Sequence, residues 1–216
     1  MEQSALELPV HQPAPLRQAA LVARARFLAW LGIGWHVIEA VIALGAGITA
    51  GSIALVGFGA DSIVESLAGG ILIWRFTGSR AGSDAAEQRA QQLIGITFFL
   101  IAAYIAVEAI RTLLNADHPE ASWVGIALAA ITVVIMPILA RAKGRVGEQL
   151  SSSATRSEGR QNQLCAYLSA ALLLGLGANA LLGWWWADPI TALAISGVAV
   201  YEGREAWRGE ACCEVC

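Results

Sequence analysis

GSIALVGFGADSIVESLAGGILIW, residues 51–74, is an apolar run long enough to cross a bilayer, yet it carries two acids, Asp61 and Glu65. About 20 helical residues cover the ~30 Å of hydrocarbon. The two acids are four residues apart, so on a helix they share a face, about 6 Å apart along the axis at 1.5 Å per residue. An ionised carboxylate at bilayer depth costs about 2.5–3.5 kcal/mol even on the most lenient scale. Two on one face imply a shared partner: a divalent cation, a proton, or both.

The rest of the chain has the composition this reading needs. Of 216 residues 56% are hydrophobic and only 14% are charged, with a mean hydropathy of +0.59. Soluble domains carry about 25% charge, so the expected class is an all-α integral membrane protein. Runs long enough to span fall at six places, roughly 27–49, 53–76, 91–113, 121–141, 160–185 and 189–207. Residues 1–22 read as a flexible cytoplasmic arm, 23–208 as a six-helix transmembrane domain and 209–216 as a Cys-rich cytoplasmic tail. The first sixteen residues hold Glu2, Glu7 and prolines but no apolar core, which excludes a signal peptide. The polar 147–163 segment reads as the main cytoplasmic loop, with the fifth helix starting between Thr155 and Leu164. No basic tract with interleaved aromatics points to nucleic acid.

Charge placement sets the expected orientation. Every Lys and Arg except Arg111 flanks the span ends opposite the 47–52, 115–120 and 184–189 turns. The positive-inside bias then puts both termini in the cytoplasm of a multi-pass cell-membrane protein, with Trp184, Trp185 and Trp186 at the outer interface.

Few polar residues interrupt the spans. Gln161, Cys165 and Ser169 lie at i, i+4 and i+8 on one face of the fifth. Cys165 alone reads as a small packed group, but facing a carboxylate pair it becomes a candidate ligand, with Ser169 the alternative that faces the acids. His36 and Glu39, at i, i+3 on the first span, are expected to relay protons or support the site, with direct ligation the alternative. Glu108 reads as an ion-pair partner of Arg111, and Asn179 as an interhelical hydrogen bonder. Three of the four cysteines, Cys212, Cys213 and Cys216, cluster at the C-terminus, where a disulfide framework is not expected; soft-ion capture is one reading, with a redox pair or an idle tail the alternatives.

The acid pair in GSIALVGFGADSIVESLAGG, with WWWADPITAL at 184–193, resembles the cation diffusion facilitator (cation efflux) family. The resemblance covers most of 24–207 and implies metal ligands at Asp61 and Glu65, with Gln161 and Cys165 at the positions where the family usually has His and Asp. Those two departures, together with the missing C-terminal metal-sensing domain, mark a divergent, truncated branch. The resemblance further implies a homodimer exchanging a cytoplasmic divalent cation for protons. No resident cofactor is expected, because the metal is cargo. Oxygen ligands plus a thiolate suit Zn²⁺ first, then Cd²⁺ or Pb²⁺. A non-transporting metal-binding sensor or delivery partner using the Cys tail is the alternative. An enzyme is not expected, because no nucleophile–base pair is present.

Overall fold

The computed structural model describes residues 15–75, 84–150 and 153–208. They form six α-helices: α1 (Pro15–Ala50), α2 (Ile53–Arg75), α3 (Asp84–Asn115), α4 (Trp123–Gln149), α5 (Ser153–Leu182) and α6 (Ala187–Arg208). Among the described residues there is no strand. Among the described residues, stretches of α1, α3, α4 and α5 are each long and apolar enough to cross a membrane. α2 carries Asp61 and Glu65, and the last turns of α6 carry Glu202, Arg204 and Glu205.

Four helix ends differ from the sequence expectation. α1 begins at Pro15, so residues 15–22 of the expected arm are helical; proline suits a first helical position because its missing N–H would be unbonded there anyway. α3 begins at Asp84. The expected 147–163 loop is almost entirely helix, since α4 runs to Gln149 and α5 starts at Ser153. The Arg, Glu, Gln and Ala in this segment are good helix formers, and tertiary packing does the rest. Lys143 of α4 is buried, 3.3 Å from Glu158 Oε2 and donating to Asn162 Oδ1 at 2.9 Å, both on α5.

Helices α1 and α2, α3 and α6, and α4 and α5 pack as pairs, and α2 also touches α3, α5 and α6. The main core joins Leu55 and Phe58 of α2 to Met136, Leu172, Leu176 and Ile195. A smaller cluster of Val64, Phe98, Ala102 and Ala199 joins α2 to the α3–α6 pair. Those two helices approach closely at Gly95, where an added Cβ would lie 3.0 Å from the Gly203 carbonyl oxygen.

The exterior is apolar, with Phe27, Val41, Ile48, Leu100, Leu114 and Leu174 all exposed, while His36, Glu39, Asp61, Glu65, Lys143 and Asn162 are buried. Exposed greasy residues over buried polar ones match a lipid surround. Turns are tight at the end of the bundle where α1 meets α2. Gly51, at φ +65°, closes α1, with Ser52 N–H donating to the Gly47 carbonyl and Gly51 N–H to that of Ile48, a Schellman motif. Gly183, at φ +67°, closes α5 through its N–H to the Asn179 carbonyl. Asp188, in the first turn of α6, accepts from Ser52 Oγ and, at 3.3 Å, from Ala54 N–H, so α6 caps the start of α2. Trp184 and Trp186 stack and stay partly exposed at this end, and Trp185 stacks on His118.

Candidate metal centre

Glu39 lies at the centre of the buried polar network, with 0% of its surface exposed. It sits midway along α1, and its carboxylate is held from three helices. Oε1 accepts from Thr132 Oγ1 of α4 at 2.6 Å and from Trp35 Nε1 of α1 at 3.4 Å; Oε2 accepts from Ser62 Oγ of α2 at 3.0 Å. One turn back on α1, His36 Nδ1 lies 3.3 Å from Glu39 Oε2 and 3.0 Å from Glu65 Oε2. The contact to Glu65 lacks hydrogen-bond alignment, and Glu65 Oε2 is buried with no hydrogen-bond partner. Cys165 of α5 closes the group, its Sγ 4.0 Å from Glu39 Oε2.

His36, Glu39, Glu65 and Cys165 thus each present one donor atom within 4.8 Å of all the others, every one of them buried. The electrostatics are unbalanced. Two carboxylates and a thiol face one imidazole, so even an imidazolium leaves one negative charge over when both acids are ionised. A buried charge must be paired or neutralised, and a cation entering among these donors does both.

The family model of the cation efflux transmembrane domain matches residues 29–208. The chain belongs to the cation efflux family. Its matched region runs from within α1 to the end of α6 and contains the whole buried centre. An uncharacterized transporter of Synechocystis sp. is 25% identical over 192 residues, covering 85% of this chain and 62% of the relative. Transmembrane protein 163 of Xenopus laevis is 25% identical over 173 residues, covering 80% of this chain and 60% of the relative. The chain therefore spans about three-fifths of the length of both relatives.

Within this cation efflux domain the residues singled out from sequence separate. Glu65 and Cys165 come together, as do His36 and Glu39, and all four form one centre. Asp61 is buried but its carboxylate falls outside the mutual set, one helical turn nearer the 51–52 turn. Ser169 is buried with its hydroxyl turned back to the Cys165 carbonyl at 2.7 Å, and Gln161 is half-buried. Cys212, Cys213 and Cys216 lie outside the described residues. Arg111 pairs with Glu108 at 2.8 Å, and Asn179 binds the Pro119 carbonyl of the α3–α4 loop rather than a neighbouring helix. Thr132 and Ser62, which hold Glu39, were not singled out. Hydroxyl residues in apolar helices carry no pattern that marks one as a partner.

Proposed function

We propose that the protein moves divalent transition-metal cations out of the cytoplasm in exchange for protons, with Zn²⁺ the leading cargo and Cd²⁺ or Pb²⁺ also accommodated. The observation that carries this reading is Glu65 Oε2, a buried carboxylate oxygen with no hydrogen bond, facing an imidazole and a thiol inside a bundle with an apolar exterior. Membership of the cation efflux family supports it, as does the printed name of the Synechocystis relative, a transporter.

The chemistry of coupling follows from the donor types. Carboxylate, imidazole and thiol bind metal in deprotonated form, so metal and protons compete for the same atoms. Protons arriving from outside expel the ion, and their loss to the cytoplasm restores the site. In this reading all six helices span the membrane. α2 and α6 carry charge, but α2 is packed among α1, α3, α5 and α6, which shields its acids from lipid. The concentration of Lys and Arg at the end opposite the 51–52 turn supports cytoplasmic termini. The functional unit is a homodimer, by likeness to the family.

The test is flux. Full-length protein in liposomes, with a Zn²⁺ indicator inside and a pH gradient across the bilayer, is expected to move Zn²⁺. Glu65→Gln is expected to abolish movement while retaining the unfolding temperature of the parent. Equal flux in both proteins overturns the reading.

A further inference from the structure

The family resemblance implies a cargo site centred on the second and fifth helices, through Asp61, Glu65, Gln161 and Cys165, with Ser169, water or His36 making up for the weak Gln161. The donor atoms in the structure are distributed differently. Two of the four that lie mutually within 4.8 Å, on His36 and Glu39, belong to α1, and Asp61 is not among them.

Three features argue that α1 takes part directly. His36 Nδ1 points at the centre, within 3.3 Å of an oxygen on each of two acids, and not outward as a remote relay would. Glu39 is clamped by Thr132, Ser62 and Trp35, which fixes its orientation while Oε2 stays beside His36 and Cys165. The spacings also suit a small ion. Tetrahedral Zn²⁺ with N, O and S ligands at about 2.0–2.3 Å puts neighbouring donors about 3.3–3.8 Å apart. The observed 3.0, 3.3 and 4.0 Å separations bracket that range, and the widest, at most 4.8 Å, needs to close by about 1 Å. Glu65 Oε2, which accepts no hydrogen bond although it lies 3.0 Å from His36 Nδ1, is the oxygen placed to turn to the ion.

We propose that His36 and Glu39 are direct metal ligands, giving a three-helix site of one nitrogen, two carboxylates and one sulfur from α1, α2 and α5. This rests on the transport reading for the identity of the ligand as cargo. Nitrogen and sulfur in the set favour Zn²⁺ and Cd²⁺ over Mn²⁺ and Mg²⁺, which prefer all-oxygen surroundings. Gln161, a weak ligand for such ions, is then not required.

Purified full-length protein in detergent, with Cys212, Cys213 and Cys216 changed to Ser, isolates Cys165 as the remaining thiol. Titration with Cd²⁺, read by thiolate-to-metal ultraviolet absorption, reports binding without any flux measurement. His36→Ala and Glu39→Gln are expected to weaken Cd²⁺ binding at least tenfold, and by more than Asp61→Asn does. Glu39→Gln disturbs the bonds from Thr132, Ser62 and Trp35 and can lower folding yield; His36→Ala leaves those three in place, takes from Glu39 only the 3.3 Å contact at Oε2, and decides the matter alone. Unchanged affinity in a folded His36→Ala protein, or a larger loss in Asp61→Asn, overturns the assignment to α1 and leaves transport standing. No Cd²⁺ signal from the parent protein overturns the transport reading, and this one with it.

Discussion

Thr132 shows how much one hydroxyl contributes. Its Oγ1 makes the 2.6 Å bond to a fully buried carboxylate, and among the described residues only the Trp35 indole, at 3.4 Å, shares that oxygen. Thr132→Val keeps the shape and removes the donor. It is expected to cost about 1–3 kcal/mol of stability, the penalty for stranding a buried acceptor, and denaturant unfolding in detergent measures it. Thr132→Ser, which keeps the hydroxyl, is expected to recover most of the loss. At this scale the sequence was informative in an uneven way. Glu65 and Cys165 stand out because acids and thiols are rare among membrane-helix residues, and both belong to the centre. Asp61 stands out equally and lies a turn away from it. The i, i+4 spacing places both acids on one face of α2, but which of them meets α5 depends on the relative heights of two helices, and no residue of either encodes that height alone. Glu39 was visible for the same reason as Glu65, yet the bonds that hold its buried carboxylate come from Thr132 and Ser62, contributed by helices that sequence spacing does not connect to it.

Helices are locked to one another by a few polar pairs whose removal can be measured. Asp188 bonds Ser52 and the Ala54 N–H at the first turn of α2, where an acid also meets the positive end of the helix dipole. Asp188→Ala is expected to destabilise by about 1–3 kcal/mol, seen as a lower unfolding midpoint and faster exchange of the Ala54 and Leu55 amides. At the opposite end, Lys143 and Glu158 form a buried pair between α4 and α5. Breaking such a pair from one side costs about 3–5 kcal/mol, because the remaining charge is left uncompensated. Lys143→Met is therefore expected to be far worse than Lys143→Met combined with Glu158→Leu, and a double-mutant cycle reads the difference. This pair also explains the misjudged loop. A stretch dense in Arg, Ser and Glu reads as solvated chain, and only the partner across the helix interface shows that Glu158 and Asn162 meet Lys143 between packed helices. The connections nearer the 51–52 turn were far more legible, since glycine before a new apolar run is a strong stop signal. α3 is the exception, closing on Ala116 at φ 52°. Ala116→Gly is expected to stabilise by about 1 kcal/mol, by relieving the left-handed penalty.

For the molecule as a whole, six apolar runs were enough to anticipate a helical membrane bundle, while the pairing of α3 with α6 and of α4 with α5 was not legible, because lipid-facing and core-facing residues in such helices are alike. The proposed cargo site also has a global signature. Zn²⁺ that binds only the folded state stabilises it by about 2.7 kcal/mol at a hundredfold excess over Kd. The unfolding temperature in detergent is expected to rise on Zn²⁺ addition and fall back with a chelator, whereas Cys165→Ala should respond much less. Because each displaced proton adds about a tenfold change in affinity per pH unit, Zn²⁺ binding should tighten from about pH 6 to pH 8 and weaken in acid. The stiff corners at Gly51 and Gly183 bear on how any passage there can open. Neither corner has slack, so neither can peel back as a flap, and an opening on that side must come from rods leaning apart about fixed joints. Deuterium uptake at those joints should then stay low through a transport cycle, while the inward-facing flanks of α1 and α5 alternate between wet and dry.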